Sequence, residues 1–275
     1  MKISIKDLNF KYNKNLNNTI NDISLDIEES SITILVGLNG CGKTTLIKLL
    51  AGLLKTDDGT IEYDGKDIKD IKIKERSKIF SYVSQKSIGA DDYLVRDYLT
   101  YGFVNDLKFY ESPKKEQLEK VDKISEELKI SHLLDKQMGK ISGGERQIVT
   151  IASCILQDTP TILLDEPTSA LDLTNQNMVL SVLKSYAVNE KKTIILSSHN
   201  PNHALFLNSN VALMKDGKIL KYGTSKDIIT VDILREVYGN NICLSNGLDY
   251  QEISFKWKHI KNFMVKYQSL KLVKD

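Results

Sequence analysis

Apolar and polar positions alternate at the start of the chain. Ile3, Ile5, Leu8 and Phe10 predict an early strand. A polar, Asn-rich turn (NKNLNN) follows, and Ile20, Ile23, Leu25 and Ile27 repeat the strand pattern. Residues 32–36 are a dense apolar run ending at Gly37, which suits a buried parallel strand. Residues 44–54 have helical spacing, with Leu46, Ile47, Leu49, Leu50 and Leu53 facing inward. The turn sequences DDGT and YDGKD around Ile61 and Tyr63 predict a hairpin. Residues 91–140 carry few strand signals and many helix formers. Ser112-Pro113 reads there as a helix start, and Leu118, Val121, Ile124 and Leu128 as one helical face. Beyond it the pattern predicts a helix over 148–156, a strand over 161–164, a helix over 178–188 and a strand over 193–197. Residues 211–214 and 219–222 flank the turn Lys215-Asp216-Gly217-Lys218, a second hairpin. This βα alternation predicts an α/β fold with a parallel sheet at its centre and a helical insertion.

Composition narrows the class. A chain of 275 residues can bury a full core and a second small lobe, and 41% hydrophobic with 27% charged residues is ordinary for a soluble globular protein. With 38 basic and 36 acidic side chains the net charge is +2, which argues against a dedicated nucleic-acid binder. Cys41, Cys154 and Cys243 have no metal-ligand spacing and no CxxC. With no apolar signal core in MKISIKDLNFKY, the cysteines point to a reducing cytosol. No run approaches the roughly 18 apolar residues that span a bilayer, so work at a membrane is expected to go through another chain. The tail from Tyr250 is lysine-rich, and Trp257, Ile260, Met264 and Tyr267 share a helical side. Phe255 and Trp257 also alternate, so a strand start stays open; the lysines suit either a solvated face or anionic lipid.

Three stretches carry candidate chemistry. Gly37-Leu38-Asn39-Gly40-Cys41-Gly42-Lys43-Thr44 satisfies G-x-x-x-x-G-K-[ST] between an apolar strand and a helix. Its backbone N–H groups and the helix start favour phosphate. Lys43 is expected to reach the β- and γ-phosphates and Thr44 to ligate Mg²⁺, with Cys41 a small filler. Ile162-Leu163-Leu164 ends in Asp165 and Glu166, at the carboxyl end of a strand where a parallel sheet places its ligands. Asp165 is a candidate Mg²⁺ holder and Glu166 a candidate general base, against the alternative of a solvated acid pair. His199 after TIILSS is a candidate partner of the γ-phosphate, and Gln85 at the end of YVSQ a candidate contact to Mg²⁺ or water. The third stretch, ISGGERQ, offers a second anion-holding helix start, and Ser142 with Glu145 has the spacing of a capping box.

In this order, GLNGCGKTT, Gln85, ISGGERQ, ILLDEPTSALD and SSH resemble the ATP-binding subunit of ABC transporters over about residues 1–240. The resemblance implies a P-loop NTPase, RecA-like parallel-sheet core at about 1–86 and 155–240. To this it adds an N-terminal antiparallel β part and a helical subdomain inserted at about 87–154, leaving 241–275 as a short extension. It implies ATP and Mg²⁺ as ligands, with Thr45 beside the nucleotide and Tyr12 of FKYNK stacking on adenine. His199 becomes a switch histidine and Gln85 a nucleotide-sensing link. The resemblance also implies a homodimer in which Ser142, Gly143 and Gly144 hold the other copy's γ-phosphate and Asp172 lies at the contact. The signature departs from the family at Ile141, for Leu, and at Glu145, for Gln, and the Glu145 carboxylate is expected to point away from phosphate. ADDYLVRDYLTYGF, SSHNPNHAL and TVDILREVYGNNI further resemble the subfamily that takes up iron–siderophore, haem or cobalamin. That implies a permease, an extracytoplasmic binding protein and a place at the cytoplasmic face of a membrane. An exporter subunit or a soluble ABC ATPase are the alternatives.

Overall fold

The computed structural model of the chain describes residues 1–13, 18–85, 89–105, 112–240, 242–246 and 251–255, the last two by backbone alone except for the buried Ile242. Most of the NKNLNN turn and the tail beyond 255, with Trp257 to Tyr267, lie outside the described residues.

The first half runs β1 (Ile3–Phe10), β2 (Ile20–Ile27), β3 (Ile32–Val36), α1 (Lys43–Leu50), β4 (Asp58–Tyr63), β5 (Lys66–Asp67), α2 (Ile73–Ile79) and β6 (Phe80–Val83). Next come α3 (Val95–Thr100), α4 (Lys115–Glu127), α5 (Gly143–Leu156), β7 (Thr161–Leu164), α6 (Leu173–Asn189) and β8 (Thr193–Ser198). The chain continues through α7 (Asn202–Leu207), β9 (Asn210–Lys215), β10 (Lys218–Thr224), α8 (Ser225–Ile228), α9 (Val231–Tyr238), β11 (Ile242–Asn246) and β12 (Gln251–Phe255).

Among the described residues, β10-β9-β3-β8-β7-β6 form one sheet, parallel from β9 to β6, with β10 joined antiparallel to β9. A second, antiparallel sheet has the order β2-β1-β4-β5, with Ile3 opposite Ile27 on one side and Tyr63 on the other. The β11 and β12 backbones pair antiparallel. Successive residues of a strand point to opposite faces, so the central sheet feeds two cores. Ile34, Val36, Ile162, Leu164, Ile194 and Leu196 pack with the helices from α3 to α7. Leu35, Leu163, Ile195 and Met214 pack with α1 and the antiparallel sheet. The helical insertion thus shares one continuous core with the sheet face beside it.

Both expected hairpins are present, turning at Asp64-Gly65 and Asp216-Gly217 with positive φ at all four residues. Helix ends differ from expectation in four places. The helices α5 and α6 start at Gly143 and Leu173, ahead of the expected 148 and 178, because Ser142 and Asp172 cap them there. The first helix was expected over 44–54 but stops at Leu50. Gly52 takes φ 60°, its N–H donates to Leu49 O, and the Leu53 N–H donates to Lys48 O. This is a Schellman stop, and it leaves Leu53 59% exposed instead of inward. The helix expected from Ser112-Pro113 begins at Lys115, because Gln117 Oε1 reaches back to the Lys114 N–H at 2.8 Å. Val121, Ile124 and Leu128 of its face are buried, whereas Leu118 is exposed.

Candidate functional site

The loop between β3 and α1 turns into the helix at Gly42, whose φ of 107° is open to glycine at no steric cost. Lys43 follows at 5% exposure. Its ammonium donates to Gly37 O at 2.8 Å and Leu38 O at 3.1 Å, so the loop's own carbonyls hold the lysine over the turn. Cys41 is buried beside it, and burial pushes its thiol pKa up, as suits a filler and not a nucleophile. Leu38 and Asn39 are exposed at the loop's tip.

Parallel pairing of β3, β8 and β7 sets the ends of these strands side by side at the same rim. Asp165, just past β7, is 1% exposed. Its Oδ1 accepts from the Thr44 hydroxyl at 3.0 Å and from the Ser197 hydroxyl at 2.8 Å. The Glu166 N–H donates to the same Ser197 oxygen at 2.8 Å. Glu166 has φ 49°, a left-handed conformation that strains a non-glycine residue, and Ser197 helps hold it there. The Glu166 carboxylate stands 3.2 Å from His199 Nδ1 through Oε2 and 4.0 Å from Lys43 Nζ through Oε1. His199 is 58% exposed on the solvent side of this pair. An open cavity of ≈ 370 Å³ joins the set: Asn39, Gly40, Gly42, Lys43, Thr44 and Thr45 on one side, Thr19, Gln85 and Glu166 around it. Tyr12 is 56% exposed, stands edge-on to Phe10 and lies with its hydroxyl 3.2 Å from Thr45 Oγ1.

The donors at this rim suit a hard cation. Thr44 and Asp165 bring oxygens within 3.0 Å of each other, and Gln85 adds an amide on the same cavity. Among the described residues no basic side chain is within ion-pair distance of the buried Asp165 carboxylate, whose side-chain partners are two hydroxyls.

ISGGERQ lies elsewhere. Ser142 caps α5: its hydroxyl accepts from the Glu145 N–H at 3.2 Å, and Glu145 Oε2 accepts from the Ser142 N–H at 2.7 Å. These contacts hold the Glu145 carboxyl below its usual pKa, and its other oxygen lies 3.9 Å from His132 Nε2. Ser142 and Gly143 are exposed. A side chain on Gly143 would meet nothing within 4 Å, while one on Gly144 would come within 3.1 Å of Ala170 O. Asp172 is exposed and caps α6 through the Asn175 N–H at 2.9 Å. The structure therefore gathers Tyr12, the phosphate loop, Gln85, Asp165, Glu166 and His199 around one rim. Ser142, Gly143, Gly144 and Asp172 do not line the cavity at that rim.

Two groups beside the rim lie within the stretches SSH and SSHNPNHAL, yet the sequence assigns them no role. Ser197, the first residue of SSH, holds Asp165 and Glu166 together, a role that a hydroxyl at the end of an apolar strand does not announce. His203, four residues after His199, is buried against Ser198 and Gln176.

A phosphate loop on the central strand and an acid pair on the strand two places away define a P-loop nucleoside triphosphatase. Residues 20–169 match the ABC transporter family, and the chain belongs to it, as an ATP-binding and ATP-hydrolysing subunit. It is 34% identical over 239 residues to the "Probable iron chelatin transport ATP-binding protein" of Helicobacter pylori, covering 86% of this chain and 93% of that one. It is 30% identical over 218 residues to the ferric enterobactin transport ATP-binding protein FepC of Escherichia coli, 79% of this chain and 80% of that one. A chain of an ABC transporter described as metal-chelate type, in an inward-facing conformation, superposes with a TM-score of 0.76. It is 27% identical, over 92% of this chain and 95% of that one. Among the described residues, no helix is long and apolar enough to cross a membrane.

Proposed function

We propose that two copies of this chain close over two ATP molecules and that hydrolysis drives uptake of a metal chelate through a membrane permease. The observation that carries the reading is the Glu166 carboxylate, 4.0 Å from Lys43 Nζ and 3.2 Å from His199 Nδ1 beside the phosphate-loop cavity. ATP entering that cavity supplies Lys43 with phosphate oxygens in place of the Gly37 and Leu38 carbonyls. Glu166, turned from His199, takes a proton from water as it attacks the γ-phosphorus, the bond to the β-phosphate breaks, and ADP and phosphate leave. Lys43 and His199 face the charge that develops on the transferring phosphoryl group. Thr44, Asp165 and Gln85 would hold Mg²⁺, which when bound neutralises charge on the phosphate oxygens. Tyr12 stacks on the adenine.

Ser142, Gly143 and Gly144 serve the other copy's nucleotide, and Asp172 meets the same partner. The exposure of Ser142, Gly143 and Asp172, and the empty space around Gly143, support that reading. In this reading 1–86 with 155–240 form the nucleotide core, 87–154 the helical lobe that touches the permease, and 241–275 an extension. The chain sits on the cytoplasmic face of the membrane, and an extracytoplasmic binding protein delivers cargo. Of the cargoes iron–siderophore, haem and cobalamin, the names of the relatives, iron chelatin and ferric enterobactin transport proteins, support an iron chelate.

The test is ATP turnover by the chain copurified with its permease. Glu166→Gln should keep ATP binding and lose turnover by about 10²-fold or more, and wild-type turnover in that variant removes Glu166 as base. A binding protein loaded with a ferric chelate should raise wild-type turnover; indifference to every metal chelate removes the cargo reading.

A further inference from the structure

Behind the rim, a line of buried and half-buried polar side chains joins two loops that the reaction uses separately. It begins at Ser198, beside His199. The Ser198 hydroxyl is 2.9 Å from His203 Nδ1, and its oxygen accepts the Asn200 N–H at 3.0 Å, bracketing the His199 backbone. His203 Nε2 is 3.2 Å from Gln176 Oε1. Gln176, in the first turn of α6, donates through Nε2 to Leu171 O at 2.9 Å and to Thr168 O at 3.2 Å. Those two carbonyls belong to the loop that leads from Glu166 to Asp172 and passes within reach of Gly144 in the signature.

The Gln176 partners fix the directions from the loop to His203. At the far end the Ser198 hydroxyl has two acceptors in reach, His203 Nδ1 at 2.9 Å and Asn200 O at 3.3 Å. Donation to two carbonyls orients the Gln176 amide, so its Oε1 must accept from His203. Nε2 therefore carries the imidazole proton, and Nδ1 is an acceptor facing Ser198. Asn200 Nδ2, 3.4 Å from Nε2, then faces another donor and adds no bond. The donors between the 168–172 loop and His203 are thus settled, so displacing either end strains the other. A buried polar network of this kind is bistable more readily than it is deformable.

We propose that His203 and Gln176 are positioning residues that tie the 168–172 loop to the backbone of His199. A second copy seated on that loop thereby sets the place of the histidine at the first copy's γ-phosphate. The proposal rests on the reading of His199 and Asp172 given under the proposed function. It assigns to two side chains outside the nucleotide cavity the job of reporting that the partner has arrived.

A double-mutant cycle with the full chain tests it. His203→Phe and Gln176→Leu should each lower kcat about 10-fold, with KM for ATP and monomer ATP affinity changed less than about twofold. The double variant should be no slower than the slower single, since both cut one line. Wild-type kcat in the folded single variants, or effects that multiply in the double, overturns the proposal. Gln176→Glu, at a half-buried position, keeps the acceptor toward His203 and loses both donors to the loop. It should reproduce the fall in kcat even if His203→Phe does not fold, and wild-type kcat in it is a second contradiction. A parallel Glu166→Gln separates the failures. Loss of turnover there with wild-type kcat in the positioning variants sinks this inference alone, whereas wild-type turnover there sinks the reading beneath it.

Discussion

His203 is buried among neutral partners, and its imidazolium has no carboxylate to meet in Ser198, Gln176 and Asn200. Burial, and to a lesser degree the His199 charge, lower its pKa from 6.5 to about 4. The folded chain thus binds the proton later than the unfolded one, so stability is full above pH 6.5 and falls as pH drops toward about 4. Urea unfolding across this window should show a loss of about 3 kcal/mol that His203→Phe removes; an unchanged pH slope in that variant shows that other groups cause it. At this scale the sequence was legible where chemistry is local. Lys43 with Thr44, and Asp165 with Glu166, are adjacent and stand in strand-end contexts that point to their use. Ser197 lies 32 residues from its partner Asp165, and His203 lies 27 from Gln176. Only the pairing of strands and the packing of α6 bring them together, and no spacing announces that.

Elements were legible by period and less so by their ends. Turn sequences marked β4, whereas alternation marked β1 and β2, and dense apolar runs marked β3, β7 and β8, because one or both faces of each are buried. The end of α1 depended on Gly52, whose neighbours Leu53 and Leu54 continued the apolar pattern and hid the stop. The short helix α2 has no buried residues of its own and left no periodic trace. It is held instead by Arg76, which donates to Ile68 O at 2.7 Å, Ile71 O at 2.9 Å and Gly52 O at 3.1 Å. One guanidinium thus pins α2 against the C-terminal end of α1, where a cation also complements the helix dipole. Arg76→Ala should lower unfolding stability by about 2–3 kcal/mol, and Arg76→Lys should recover little, because an ammonium cannot match the fork. Chemical denaturation measures both, and a fully stable Arg76→Lys chain contradicts the three-carbonyl clamp.

Across the whole molecule, the central sheet sends alternate residues into two cores, one against α1 and the antiparallel sheet, the other continuous with the helical insertion. That arrangement gathers the phosphate loop, Gln85, Asp165, Glu166 and His199 at one rim and leaves Ser142 and Gly143 of ISGGERQ exposed at the capped start of α5. On the proposed reading, a chain that binds a nucleotide at one of these sites while the other faces outward is complete only when a second copy brings the missing half. Sedimentation velocity of the Glu166→Gln chain, with and without ATP and Mg²⁺, measures this directly. The account predicts monomers without nucleotide and a two-chain species holding two ATP molecules with it. ATP-saturated chains that remain monomeric at every concentration, alone and beside the permease, would contradict it.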